Sequence, residues 1–259
     1  MDTRSSNHRS LVRSMLGDMR VSPTSETLVA FLSYLLVLGA FILAFQVFTT
    51  ARTAANFITF GPVGLALLGI GIPVAYTTLV AGRPLDEVGI TARQLVPSLV
   101  LCLILGWDTF RETLGRTGWQ PAREVVPLIA MALAVGLFEA VFFRGWLQLR
   151  FEAAFGIVPG PIPAALLYSL YPVGYGMTGR EMLFLFGLGL VFGAVFRLTK
   201  SIFILWPFYT PAGSLYTNVT EGLTMPFEAT YGFVLTLVLM VALVAGAAIG
   251  RAKAKEALT

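Results

Sequence analysis

The chain has 259 residues, of which 56% are hydrophobic and only 12% charged. Soluble domains carry about 25% charged residues, so this composition excludes a soluble enzyme and points to a multi-spanning membrane protein. The net charge of +4 alone would suit a nucleic-acid binder, but there is no nucleic-acid motif, and in a membrane protein the placement of charge matters more than its sum.

The first 26 residues are polar and basic. Within them Leu11, Val12, Met15, Leu16 and Met19 share one helical face opposite arginines, a pattern that suits an interfacial helix on anionic lipid. A solvated tail fits the same residues, and so does an Arg- and Ser-rich transit peptide. His8, the chain's one histidine, lies in this tail and reads as solvated or headgroup-facing.

A helix needs about 20 mostly apolar residues to cross the hydrocarbon. The first span is "LVAFLSYLLVLGAFILAFQVF", 28–48, too long and with the wrong flank for a cleavable signal peptide. The second covers 57–81, where Gly61, Pro62, Gly71 and Pro73 predict kinks. The third is shorter, 95–107. The fourth runs over 125–143, the fifth over 161–177, the sixth over 182–196, the seventh over 201–217 and the eighth over 229–250. The expected fold is all-α and polytopic, with about eight transmembrane helices. A basic tail (1–26) precedes a transmembrane domain (27–250), and a second basic tail (251–259) follows it.

An even number of spans puts both termini on one side. With that side cytoplasmic, only Arg52, Arg111, Arg116, Arg123 and Arg180 of the 18 lysines and arginines fall outside. The positive-inside rule favours this orientation.

Several features have plain readings. Cys102 is a small buried apolar residue that cannot form an internal disulfide. Asp108, Arg111, Glu112, Arg116, Arg123 and Glu124 read as a solvated loop with local ion pairs. "NVT" at 218–220 matches a glycosylation sequon in an outer loop. Gly187, Gly189 and Gly193 stripe the sixth span and let a neighbouring helix approach.

The stretch "FEAVFFRGWL", 138–147, puts Glu139 and Arg144 into an apolar run. An ionisable group at that depth is expensive and points to a working site. On an α-helix five residues turn through roughly 500°, so the two side chains are expected about 140° apart. Arg144 then reads as a snorkelling side chain at a helix end, and Glu139 as a carboxylate in need of a partner from another helix.

"PLIAMALAVGLFEAVFFRGWLQLRF" (127–151), "IPAALLYSLYPVGYG" (162–176) and "FLFGLGLVFGAVFRLTKSIFILWPFYTPAGSLYTN" (184–218), preceded by "RPLDEVGITARQLVPSLVLCLILG" (83–106), resemble the CPBP family of intramembrane proteases, which includes the type-2 CAAX prenyl proteases. Their motifs are EExxxR, FxxxH and HxxxN or HxxxD. Here the paired glutamates are Glu139 and Ala140, followed by Arg144. The second motif's aromatic falls on Tyr168, which puts Pro172 at its histidine. The third motif's histidine falls on Tyr209 or Pro211, and its Asn or Asp on Gly213 or Leu215, with Asn218 nearby but out of register.

The resemblance implies peptide-bond hydrolysis in the membrane, with a glutamate and histidine activating water. That needs a base within reach of the water and fixed donors for the oxyanion. A metal site would need about three protein ligands. The expected site is therefore vestigial: Glu139 and Arg144 match the family, Tyr168 and Tyr209 are candidate polar partners, and no metal or other cofactor is expected. Tyr168, Tyr171, Tyr175 and Tyr209 are available as hydroxyl donors, and Glu139 is expected to bond tyrosine hydroxyls from spans five and seven.

The leading expectation is a catalytically inactive relative in a bacterial or archaeal plasma (inner) membrane, acting as scaffold or accessory subunit for another membrane protein. It would touch the lipid bilayer and a protein partner, and no nucleic acid. Two alternatives stand beside it: an intramembrane endopeptidase with an altered glutamate-based site, and a small transporter or lipid- or pigment-binding subunit.

Overall fold

The computed structural model describes residues 21–48, 53–118, 120–175 and 177–256. His8 and the apolar face at 11–19 lie outside them. The described residues are helical throughout their regular parts, with no strand among them. The first, second, third, fourth, sixth and eighth expected spans each fall on one helix; the fifth runs from a helix into a 3-10 turn, and the seventh starts in a 3-10 turn, Ile202–Ile204, ahead of its helix.

Helix α1, Ser25–Ile42, continues through a π-helical turn, Leu43–Val47. Thr24 caps its start, bonding reciprocally with Thr27, which satisfies donors that a helix N-terminus otherwise leaves open. Helix α2, 53–80, alternates α-helical Thr53–Ile58 and Ile72–Ala75 with π-helical Thr59–Gly71 and Tyr76–Val80. Pro62 and Pro73 lack the N–H that the regular ladder needs, and the expected kinks take this form. After a 3-10 turn, Leu85–Val88, come α3 (Leu95–Thr117) and α4 (Ala122–Phe155). Helix α5 (Pro161–Leu170) runs into a 3-10 turn, Tyr171–Tyr175. Helix α6 is Gly179–Thr199, α7 is Tyr209–Thr220 and α8 is Ala229–Glu256.

Helices α1, α2, α4, α6 and α8 are long and apolar enough to cross a membrane. Helix α3 is 23 residues long, but its second half carries Asp108, Arg111, Glu112 and Arg116. These form i,i+3 and i,i+4 pairs along the helix, Arg111 to Asp108 at 3.1 Å and Arg116 to Glu112 at 2.7 Å. Such pairs support a helix, so the segment expected as a loop is helical to Thr117. Helices α5 and α7 have 10 and 12 residues. At 1.5 Å per residue neither spans a roughly 30 Å core alone. Asn218 of the sequon lies inside α7, its Nδ2 3.4 Å from Ser214 Oγ.

Helix α4 is the hub. In its apolar window 61% of residues are buried, against 22% in α6 and 17% in α8. Helices α1, α2, α5, α6, α7 and α8 all pack on it. It also runs on past the expected end of span four. Residues Ala140–Gln148 are π-helical, and Leu149–Phe155 resume the α-helix. Arg144 is therefore interior, 1% exposed, rather than a snorkelling side chain at a helix end.

The far end of α4 is tied down by charge. Arg150 Nε lies 3.1 Å from Glu26 Oε2 and its Nη1 3.9 Å from Glu87 Oε2. Arg83 pairs with the same two glutamates. The Arg150 guanidinium sits 4.7 Å over the Trp146 ring, and Trp146 Nε1 donates to Ser33 Oγ of α1 at 3.0 Å. Ser22 N–H adds a backbone bond to Ala154 O at 2.9 Å. The start of α1, the 83–88 turn and the end of α4 thus form one unit.

Candidate functional site

The π segment changes the geometry of the motif. In a π-helix each N–H bonds the carbonyl five residues back. Positions 139 and 144 therefore lie about one turn apart on one face, not the 140° expected of an α-helix. Such one-turn distortions recur at functional sites because they re-aim side chains that a regular helix would splay apart.

Glu139 is half-buried. Tyr168 Oη donates to its Oε2 at 3.4 Å, and Tyr171 Oη donates to its Oε1. Both tyrosines come from α5 and the turn that extends it. Arg144 stacks over the Tyr168 ring, 4.9 Å from guanidinium carbon to centroid. The shell beyond is aromatic. Phe143 packs edge-on against Tyr168 at 5.2 Å and tilted against Tyr171 at 5.1 Å, and Phe138 stacks on Phe142 at 5.4 Å. A cation over a ring face in such surroundings gains about 2 kcal/mol or more where it is desolvated.

Tyr209, expected as the second hydroxyl partner, takes another place. Its ring meets Phe192 edge-on at 5.3 Å, and Phe192 in turn meets Tyr168 at 6.3 Å. That chain of rings links Tyr209 to Tyr168, and the second hydroxyl on Glu139 is that of Tyr171, also in span five. Pro172 and Pro211, at the family's histidine positions, are both buried. Pro211 packs on Gly136 of α4, where an added Cβ would lie 2.9 Å from Pro211 Cγ. The first turn of α7 thus docks about one turn of α4 before Glu139.

That first turn is fixed by Cys102. The backbone N–H groups of Phe208 and Tyr209 both point at its Sγ, each at 3.3 Å. They belong to the donors that a helix N-terminus leaves open, and a sulfur from α3 satisfies both. Cys102→Ala is expected to lower stability by roughly 1–2 kcal/mol, and Cys102→Ser to recover part of it. Thermal unfolding in detergent or lipid checks this; equal midpoints for alanine and wild type would show that the sulfur caps nothing.

Gln148 and Glu152 continue the polar face of α4 and Arg197 of α6 meets it, and none of the three is singled out by the sequence. Gln148 Nε2 donates to Glu152 Oε1 at 2.8 Å and to Gly193 O at 3.2 Å. Arg197 Nη1 meets Glu152 Oε2 at 2.6 Å. The signal was available: Glu139, Arg144, Gln148 and Glu152 recur at five, four and four residues within an apolar stretch.

The donors gathered at Glu139 are hydroxyls and a guanidinium. Among the described residues no group of three or more His, Cys, Asp or Glu side chains lies close enough to hold a metal ion. A cleft of about 140 Å³ lined by Gln120, Glu124, Leu128 and Met225 opens at the other end of α4. It is smaller than the roughly 300–1,000 Å³ of ligand pockets.

Residues 121–210 match the family model described as type II CAAX prenyl endopeptidase Rce1-like. The match begins just before α4, takes in α5 and α6 and ends in the first turn of α7, and so includes Glu139, Arg144, Tyr168, Tyr171 and Tyr209. No curated protein and no solved structure matches the chain.

Proposed function

From the premise that this integral membrane protein is Rce1-like over residues 121–210, we propose that it is an inactive relative of those endopeptidases, working as a scaffold or accessory subunit for another membrane protein. The observation that supports this best is the bonding of Glu139. Both of its carboxylate oxygens accept from tyrosine hydroxyls inside an aromatic shell. A general base needs a water within hydrogen-bond reach and a partner to pass its proton. Here the partners are hydroxyls that hold the carboxylate in place, and residues 121–210 contain no histidine. In this reading Glu139 and Arg144 orient α4 against α5 and keep the old peptidase core rigid.

The partner's place is the outward face of α8, where Ala242, Gly246 and Gly250 repeat every four residues and are exposed. A Cβ at Gly246 or Gly250 would meet nothing within 4 Å. Small residues at this spacing let a second transmembrane helix approach backbone to backbone.

The test is a gentle-detergent purification from native membranes, with mass spectrometry of what stays bound in stoichiometric amount. The expected result is a constant membrane-protein partner that Gly246→Leu with Gly250→Leu releases without loss of folded protein. Cleavage of a prenylated CAAX peptide by the pure protein, abolished by Glu139→Gln, would overturn the reading in favour of an altered-site endopeptidase.

A further inference from the structure

Helices α4 and α6 face each other across a seam that is polar on one side and nearly bare on the other. Along α4 the seam presents Arg144, Gln148 and Glu152. Along α6 it presents Gly193 and Arg197, one per turn. Gly189 faces α5, where a Cβ would lie 3.1 Å from Tyr168 Cδ1 and from Ala165 Cβ; Gly193 faces α4, where one would lie 3.0 Å from Gln148 Oε1 and 3.6 Å from Arg144 Nη1. Arg197 closes the seam against Glu152 at 2.6 Å.

The level of Gly193 is unfinished. Arg144 is 1% exposed and Gln148 fully buried. Arg144 Nη1 and Nη2 have no acceptor, and Gln148 Oε1 has no donor, among the described residues. Buried polar atoms are otherwise paired almost without exception, and a buried guanidinium left without acceptors is especially costly. Two orphan donors and one orphan acceptor flank the same glycine. An anion there would satisfy Arg144 but be repelled by Gln148 Oε1. A cation would do the reverse. A water molecule accepts from the guanidinium and donates to the amide oxygen, and it finds the two or more polar partners a buried water needs.

We propose that the α4–α6 seam is an internal hydration site, with water held by Arg144 Nη and Gln148 Oε1 beside Gly193 and exchanging with solvent at Arg197. The glycine is what makes the room: a side chain there would occupy the position between the two orphan groups. The seam thereby keeps the buried Arg144 cation solvated within the membrane.

Water-edited solid-state NMR of the full chain in liposomes tests this by following magnetisation from water to the guanidinium nitrogens. Build-up at Arg144 Nη is expected to approach that of Arg93, whose side chain is 88% exposed. It is expected to slow to the pace of the Phe142 backbone amide in Gly193→Ala. Where that variant fails to fold, Gln148→Leu serves the same purpose, with the same slowing expected. A wild-type Arg144 signal as slow as the Phe142 amide overturns the proposal, as does fast build-up that neither variant changes.

Discussion

Gly145→Ala is expected to abolish folded protein, while Gly187→Ala and Gly213→Ala leave it intact. A Cβ at position 145 would collide with the backbone carbonyl of Val88. Val88 ends the 3-10 turn Leu85–Val88, and Gly89 follows with φ 73°. The obstacle is main chain, so it cannot swing aside as a side-chain tip would. Overpacking in a core ordinarily costs about 1–3 kcal/mol. Here relief would need the turn to lift off α4 and pull Glu87 away from Arg150 and Arg83 away from Glu26, which puts the cost among the exceptional values above roughly 4–5 kcal/mol. That is a large share of a total stability of about 5–15 kcal/mol. At Gly187 and Gly213 a Cβ meets nothing within 4 Å, and alanine favours the helix by roughly 0.5–1 kcal/mol. Fluorescence-detected size exclusion followed by thermal unfolding reads all three. Recovery of Gly145→Ala at the wild-type midpoint would mean that the 85–88 turn does not press on α4.

Neutralising either Glu139 or Arg144 alone is expected to cost about 1–3 kcal/mol: the first removes the acceptor of two tyrosine hydroxyls, the second a buried guanidinium stacked on Tyr168. Neutralising both together is expected to cost less than the sum, with a coupling of roughly 0.5–3 kcal/mol. The informative set is Glu139→Gln, Arg144→Gln and the double variant, read by denaturation midpoints in lipid nanodiscs. An α-helical register at 139–144 would hold the side chains apart and give additive losses. The π register predicts the coupling, so additivity would count against it. Tyr171→Phe belongs in the same series: removing one hydroxyl from Glu139 is expected to cost roughly 1–3 kcal/mol.

The apolar runs announced the helices, because burial in lipid demands uninterrupted hydrophobic length and little else. They were less informative about where helices stop. Span four reads as ending near residue 143 because charge begins at Arg144, yet α4 continues to Phe155. Arg144, Gln148, Arg150 and Glu152 are all buried there, each against a partner contributed by another segment or, for Arg144, in the unfinished seam. Hydropathy counts charges and cannot see who covers them. The π segment was equally hidden. A pattern of apolar residues looks much the same whether the ladder closes at four or at five residues, and only the placement of Glu139 against Arg144 reveals which. Glu139 itself was legible from its cost. Its hydroxyl partners were partly so: of the four tyrosines available, Tyr168 and Tyr171 of span five bond it, Tyr171 because the 3-10 turn after α5 carries its hydroxyl back onto α4, while Tyr209 of span seven packs on Phe192.

The bond between Trp146 and Ser33 joins positions 113 residues apart. At synthesis rates of about 5–20 residues per second, α1 leaves the ribosome roughly 6–23 s before α4 exists to receive it. Throughout that interval Ser33 and Tyr34 stand in the bilayer without their packing partners, and Glu26 waits for Arg150. The first span is thus an unfinished surface during biogenesis, completed only when the hub helix arrives. A stall between the second and fourth spans would leave it available to whatever membrane chaperone or protease the cell holds near its insertion machinery.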